Sequence, residues 1–276
     1  MMSPDPRISV CIPAYNAVAY LRAAVRSVLD QTYQDFEIVI VDDASRDGTM
    51  DSIRDLSDPR IRRFCNPSNL GGGANWDRAV ERSHGRLIKL LCSDDLLYPS
   101  CLEEQVRILD DARWADVGLV CCWRDVIDAR GRRLLSRKSP GLQGYVPRRK
   151  ALRKIVRSGT NPLGEPAAVL FRRELLEKTG PFDGSNPFVL DINMWSRMLL
   201  HSGLYLLPKT LCAFRVSPES WSVRLARSQS QSYRQWIAHL YRDPRYGLTK
   251  RDLILGQIRS TLWKWARIIF YKRIIS

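Results

Sequence analysis

Apolar and polar positions follow two rhythms along this chain. Ile8-Ser9-Val10-Cys11-Ile12 is a short, nearly continuous apolar run of the kind a buried strand needs. From about Ala19 to Asp30 the apolar residues Leu21, Val25, Val28 and Leu29 instead share one face of a helix. Glu37-Ile38-Val39-Ile40-Val41 predicts a second strand, Asp51–Leu56 a short helix and Ile61–Cys65 a third strand. A helix near Asn75–Ser83 leads to a fourth strand, Leu87-Ile88-Lys89-Leu90-Leu91, and a helix over Leu102–Ala112 leads to a fifth, Val117–Trp123. Strands and helices alternating at this spacing predict an α/β fold with a mostly parallel sheet flanked by helices on both faces. Ligands of such folds bind beyond the carboxyl ends of the strands.

From Asp125 to Gly164 the rhythm loosens into a Gly- and Pro-punctuated loop region with one helix, about Arg148–Ser158. Order returns with Ala167–Phe171, a helix around Leu175, a strong helix over Leu190–His201, and short strands near Tyr205 and at Cys212–Phe214. Beyond Ser222 the pattern is helical and basic. The expected division is therefore 1–124, 125–222 and 223–276.

The 276 residues carry a net charge of +15, and that charge is uneven. Eleven Lys/Arg and no acid lie between Arg130 and Arg157, and twelve Lys/Arg against Asp243 and Asp252 lie from Trp221 to Ser276. The remainder is slightly acidic, so anionic partners are expected at particular surfaces; a solvated face of long side chains is the plain alternative. No run approaches the roughly 18 to 20 apolar residues that span a bilayer. The N-terminal stretch places prolines and Asp5 where a signal peptide needs a basic flank, so the chain is expected in the cytoplasm. Seven cysteines without a C-x-x-C pair read as buried, reduced thiols rather than a disulfide or zinc framework.

The candidate chemistry sits at strand ends. Pro13-Ala14-Tyr15-Asn16 follows the first strand, Asp42-Asp43-Ala44-Ser45 with Asp47-Gly48-Thr49 the second, and Cys92-Ser93-Asp94-Asp95 the fourth. Each alone is explained by a helix cap or a turn; together they converge on one rim of the sheet. Two adjacent carboxylates, Asp94 and Asp95, suit a hard divalent cation that shares its shell with substrate phosphates. No G-x-x-x-x-G-K-[ST] exists, and Gly71-Gly72-Gly73 fails G-x-G-x-x-G because Trp76 takes the last glycine's place, which speaks against a Walker ATPase or a dinucleotide dehydrogenase.

The ordered series Ile12-Pro13-Ala14-Tyr15-Asn16, Val41-Asp42-Asp43-Ala44-Ser45, Asn69-Leu70-Gly71, Asn75-Trp76 and Leu91-Cys92-Ser93-Asp94-Asp95-Leu96-Leu97 resembles the family-two inverting glycosyltransferases of GT-A fold over roughly Arg7 to Ser222. The resemblance implies a Rossmann-like sheet whose first part, 1–124, binds a nucleotide-diphosphate sugar donor. Its second part, 125–222, would bind a glycan or lipid-linked acceptor and supply the base, with a basic helical tail beyond. By the same resemblance Pro13, Tyr15 and Asn16 line the nucleoside pocket, and Asp43 with Asp42 accepts hydrogen bonds from base and ribose. Asn69, Gly71 and Asn75 line the cleft near the sugar. Ser93-Asp94-Asp95 resembles the D-x-D element, Asp95 touching the metal (Mn²⁺ or Mg²⁺) and Asp94 the ribose or sugar. Asp191 would be the catalytic carboxylate, its family neighbour Glu replaced by Leu190; an N-cap of the following helix is its structural alternative. Arg215, in a stretch from Phe214 to Ser222 that resembles the loop closing over the diphosphate, would bind phosphate, while Ser217 replaces the family's histidine. Trp76 and Trp195 are sugar-platform candidates whose helical settings favour core packing.

In the tail, Trp263, Trp265, Phe270 and Tyr271 alternate with Arg259, Lys264, Arg267, Lys272 and Arg273. The mixture suits an anionic membrane surface, although the five cations point in separate directions, and packing against the body or a second subunit is the comparable reading. A competing function is a membrane- or nucleic-acid-binding module on a decayed domain. It predicts dispensable strand-end carboxylates, and the presence of Asp43, Asp95 and Asp191 speaks against it, so nucleic acid is not expected as a partner. A sugar nucleotidyltransferase would need a glycine-rich basic loop after the first strand, which Pro13–Val18 is not.

Overall fold

Continuous apolar runs bury both faces of a strand, and here every residue of β1 (Ile8–Ala14) and β2 (Phe36–Asp42) is buried. The computed structural model describes residues 5–139, 141–218, 220, 223 and 228–275, with side chains as far as Phe270. Met1–Pro4, Glu219, Trp221, Ser222 and the Tyr271, Lys272 and Arg273 side chains, all of which entered the sequence reading, lie outside the described residues.

Among the described residues ten strands form one mixed sheet in the order β3-β2-β1-β4-β9-β6-β10-β5, with β7 on β6 and β8 on β10. The further strands are β3 (Ile61–Cys65), β4 (Leu87–Leu90), β5 (Leu96–Leu97), β6 (Val117–Ile127), β7 (Arg133–Arg137), β8 (Gly144–Val146), β9 (Val169–Arg172) and β10 (Gly203–Arg215). Strands β3, β2, β1 and β4 are mutually parallel. β9 runs antiparallel between β4 and β6, and β6 and β10 are again parallel. Against one face lie α1 (Leu21–Leu29) and α3 (Cys101–Leu109), which bury Leu21, Val25, Val28, Leu102 and Val106. The other face carries α2 (Gly72–Glu81), α4 (Arg148–Ser158), α5 (Glu174–Thr179), α6 (Leu190–Met198) and α7 (Gln229–Arg242), with Val80, Ile155, Leu175, Trp195 and Ile237 in its core.

Two features depart from the sequence pattern. The strands expected near Tyr205 and at Cys212–Phe214 are one strand, β10, whose register against β6 slips between Leu207 and Thr210 and again before Cys212. Pro208, lacking an N–H, sits in that slip, so the ladder is interrupted and the run reads as two pieces. The expected loop after Asp125 instead contains the β6–β7 hairpin. Asp128 accepts backbone N–H bonds from Arg130 and Arg132, both 2.9 Å, and Gly131 takes φ +80°. Strand β7 buries no face, so no alternation marks it in the sequence.

The last helix, α8 (Lys250–Ile275), is docked along α4 and α7. Gly159 ends α4 with φ +67°, and a Cβ there would stand 2.4 Å from the Ser260 amide nitrogen; one on Gly256 would stand 2.4 Å from the Val156 carbonyl oxygen. Glycine at both points lets the helices approach. Asp252, fully buried on α8, is ion-paired with Arg157 and hydrogen-bonded by the Thr249 amide and hydroxyl, both at 2.7 Å.

Candidate functional site

The carboxyl ends of β1, β2 and β4 open into a cleft of about 470 Å³. Tyr15 and Asn16 follow β1 at its rim; Asn16 takes φ +47°, its amide nitrogen 2.8 Å from Ser45 Oγ and its Oδ1 accepting from the Arg46 N–H, which locks the first two strand ends together. Asp43, after β2, is buried and lines the cleft. Its carboxylate accepts from Asn66 Nδ2 at 2.8 Å and from the Leu70 and Gly71 amides at 2.9 and 3.0 Å. Asn75, on α2, donates to the Val41 carbonyl at 3.2 Å and accepts from Asn66, so Asn69, Gly71 and Asn75 are held at the same wall.

Asp94 also lines the cleft. Burial pushes its carboxyl above the ordinary value, and burial together with the charge of Asp94 pushes Asp95 far above it. Asp95 is fully buried and does not line the cleft; its Oδ1 accepts from the Arg215 amide at 2.9 Å and its Oδ2 has no hydrogen-bond partner. An orphaned, buried carboxylate oxygen beside a second raised carboxylate fits a local demand for positive charge, so the pair suits a divalent cation. Among the described residues no three His, Cys, Asp or Glu gather in a metal-binding group, so a cation here would draw most of its ligands from phosphate and water, as Mg²⁺ commonly does.

The opposite wall comes from the second half of the chain. Asp191 opens α6, with Oδ2 accepting from Asn161 Nδ2 at 2.8 Å and Oδ1 2.6 Å from the Ile192 nitrogen. Burial first and the Glu165 charge second raise its carboxyl from 3.8 to about 7, against the lowering effect of those hydrogen bonds and of Arg124. Glu165, which the sequence reading did not single out, also lines the cleft. Burial pushes its carboxyl up, but the guanidinium charges of Arg124 and Arg137 outweigh that and hold it below the ordinary value. Thr160, Gln229, Tyr233 and Arg267 complete this wall from the α4–β9 connection, α7 and α8. Nothing local marked them, since Glu165 and Arg124 are 41 positions apart and Arg267 reaches Thr160 across 107.

Three expected positions stand elsewhere. Asp42 is buried and does not line the cleft; its carboxylate receives the Ser45 amide and hydroxyl, which makes it the builder of the turn that carries Asp43. Arg215 does not line the cleft either. Its guanidinium is taken up by the carbonyls of Asp94 (2.8 Å), Asp128 (3.0 Å) and Ala129 (3.2 Å) and stacks on the Tyr20 ring, so it ties strand ends together instead of presenting a fork to phosphate. Asp95 is the third. Trp195 is fully buried against Phe171 and Phe182, whereas Trp76 lines the cleft and meets Phe182 edge-on at 5.5 Å. Ser217 lines the cleft 3.1 Å from the Ser220 hydroxyl.

The sequence profile described as Glycosyl transferase family 2 matches residues 9–180. An uncharacterised protein of Mycobacterium tuberculosis is 30% identical over 256 residues, covering 87% of this chain and 77% of that one. The putative teichuronic acid biosynthesis glycosyltransferase TuaG of Bacillus subtilis is 39% identical over 111 residues, 40% of this chain and 44% of its own. Among solved structures, the mannosyltransferase PcManGT of Pyrobaculum calidifontis, in complex with GDP-Man and Mn²⁺, superposes with a TM-score of 0.66 at 22% identity, over 92% of this chain and 70% of that one. S. aureus TarS 1–349 with UDP-GlcNAc gives 0.67 at 16% identity, over 90% and 69%. These likenesses establish the GT-A fold.

Proposed function

The chain belongs to glycosyl transferase family 2, and on that premise we propose that its cleft performs an inverting transfer of a sugar from a nucleoside diphosphate onto the hydroxyl of a glycan or lipid-linked acceptor, in the building of a cell-surface polymer. The observation that carries this reading is the convergence of Asp43, Asp94 and Asp191, from the two halves of the chain, on one cleft. The donor-binding neighbours and the teichuronic acid relative support the substrate class and the polymer role.

In this reading Pro13, Tyr15, Asn16 and the Asp43 wall hold the nucleoside, and Asn69, Gly71 and Asn75 border the sugar. Asp94, which faces the cleft, would hold a divalent cation, the role the motif assigned to Asp95, while Asp95 stays buried off the cleft and is placed on neither the ribose nor the sugar. When bound, Mn²⁺ or Mg²⁺ stabilises the departing diphosphate. Asp191 takes the proton of the attacking hydroxyl. A carboxyl near 7 holds a proton more firmly than an ordinary one while remaining substantially ionised at neutral pH, which suits a general base. Attack from the wall opposite the nucleotide inverts the anomeric carbon. Gathered carboxylates of this kind disfavour the decayed binding module.

The test is a panel of uridine, guanosine and thymidine diphosphate sugars, with and without Mn²⁺ or Mg²⁺, read as nucleoside diphosphate release and thermal stabilisation. At least one donor is expected to respond, and Asp94→Ala is expected to remove the metal-dependent part of the stabilisation. Silence across the panel would reject the reading.

A separate prediction concerns Glu165. Replacing it with glutamine removes one of the charges that raise Asp191, so the acid limb of the kcat profile is expected to move to lower pH. An unmoved limb, measured on folded protein, would show that Glu165 does not act through the base.

A further inference from the structure

Asp191 stands in the first turn of α6, but rotamer preference alone does not fix the turn of its carboxylate, because that last torsion is broad. Two donors fix it: the Ile192 nitrogen, 2.6 Å from Oδ1, and, from outside the helix, Asn161 Nδ2, 2.8 Å from Oδ2. The Asn161 amide is fully committed. Its Oδ1 accepts from the Leu163 and Gly164 nitrogens at 3.0 and 3.1 Å, and Nδ2 also donates to the Gly164 carbonyl at 2.9 Å. Both donor hydrogens and both acceptor lone pairs are thereby used, and a flipped amide would set all four bonds wrong.

Asn161 is carried by the segment that leaves α4, and that segment is gripped by the two C-terminal helices. The buried Tyr233 hydroxyl on α7 lies 2.7 Å from the Ile155 carbonyl and 3.0 Å from that of Thr160, sharing its one hydrogen between them. On α8, Arg259 donates to the Arg157 carbonyl at 3.0 Å, Trp263 Nε1 to the Ser158 carbonyl at 3.1 Å, and Arg267 to Thr160 Oγ1 at 2.6 Å. Gly159, between them, is the point of close approach to Ser260. Every residue from Arg157 to Thr160 therefore meets α7 or α8, and Asn161 is the next in the chain. Arg124 adds a bond to Asn161's own carbonyl at 3.2 Å.

We propose that α7 and α8 are the mount of the base: by fixing residues 157–160 they hold the Asn161 amide in line with the Asp191 carboxylate, which makes Asn161, Tyr233 and Trp263 positioning residues. The inference rests on the transfer reading and extends it to helices that carry no reacting group. A displacement of about 1 Å at a reacting group costs on the order of 10²-fold in rate, so a grip of this kind has a kinetic consequence. Helices that only cover the core would affect stability and leave the titration of Asp191 where it is.

The test uses the full chain labelled with carboxyl-¹³C aspartate, the Asp191 resonance being identified by its loss in Asp191→Asn. Tyr233→Phe combined with Trp263→Phe releases two of the grips. Ser158 Oγ stays within 2.8 Å of the Ile155 carbonyl and 2.6 Å of the Thr160 carbonyl, so neither is stranded. The charged and titratable groups around Asp191 and Tyr233 are Glu165, Arg124, Cys92 and Arg267, and the substitutions change none of them. Burial keeps the Tyr233 hydroxyl protonated at neutral pH, so its removal takes away no charge.

The Asp191 titration is expected to move from about 7 to higher pH, because a donor to its ionised form is loosened. Nucleoside diphosphate release is expected to fall about 10- to 100-fold in kcat, with stabilisation by the uridine, guanosine and thymidine diphosphate sugars unchanged. Asn161→Asp keeps the oxygen that binds the Leu163 and Gly164 nitrogens and replaces only the donor edge; it should raise the same titration further. In that background the two helix substitutions should add nothing. If the paired substitution unfolds the chain, Tyr233→Phe alone carries the test. The proposal is overturned if the helix variant titrates as the parent does, even with a reduced kcat, which would assign Tyr233 to substrate contact, or if the shifts of the two variants simply add. Failure of the transfer reading would look different: no nucleoside diphosphate released by any of these proteins, with the Asp191 titration still moved.

Discussion

Asp191→Asn will lower the rate of transfer about 10²- to 10⁴-fold, the range lost when a positioned base is removed, while leaving the donor-induced thermal shift in place. The split follows from placement. Asp191 stands on the part of the cleft built by α6 and the Asn161–Glu165 segment, whereas the proposed donor contacts lie at the ends of β1, β2 and β4. Measuring nucleoside diphosphate release alongside donor affinity separates the two, and full turnover in the variant would remove Asp191 from the mechanism. The same residue makes a prediction about stability, with the opposite sign to a salt-bridged carboxylate. Its native carboxyl titrates near 7 and its unfolded one near 3.8. Between those values the native state holds the extra proton, so stability falls as pH rises through the window and levels off above it. The total is on the order of a few kcal/mol. In Asp191→Asn the decline in Tm across that window should be smaller, whatever the variant's absolute Tm. A carboxyl raised to about 7 therefore costs stability at neutral pH, and thermal scans of the two proteins across the pH window will show it.

Arg124→Met is expected to destabilise the fold by about 3–5 kcal/mol, read from denaturant or thermal unfolding. Arg124 is buried at 2% side-chain exposure, ion-paired with Glu165 and hydrogen-bonded to the Asn161 carbonyl at 3.2 Å. Removing it leaves the largely buried Glu165 with only Arg137, whose nearest approach is 3.6 Å. Uncompensated burial of that charge is the expensive part; the lost hydrogen bonds add to it. Two controls follow. Arg124→Met combined with Glu165→Leu should recover much of the loss, because neither charge then remains stranded. The single variant should also move the acid limb of activity to higher pH, since Arg124 is one of the groups that lower the Asp191 carboxyl. A stability change under about 1 kcal/mol would show that the pair is solvated and does not organise the Asp191 side of the cleft.

Local pattern alone determined the first half of this protein. The runs at 8–12, 37–41 and 87–91 are largely apolar on both sides because both faces of a central strand are covered, and the polar residues that follow them lie at strand ends; 61–65, on the edge strand β3, buries only Ile61. Short-range periodicity carries that information without any knowledge of partners. Tertiary structure decided which polar groups face the cleft. Asp42 and Asp43 are neighbours, as are Asp94 and Asp95, and the chain pattern gives each pair the same prospects. The strand pleat and the turn send Asp43 and Asp94 to the cleft and leave Asp42 to Ser45 and Asp95 to the Arg215 amide. Arg215 shows the same limit, because three backbone carbonyls meet its guanidinium only after β10 is laid beside β5 and β6. Glu165, Arg124 and Arg267 belong to the site through contacts 41 to 107 residues long. Periodicity is a property of one segment, whereas burial, charge compensation and a shared cavity are properties of segments brought together, and only the folded chain brings them together.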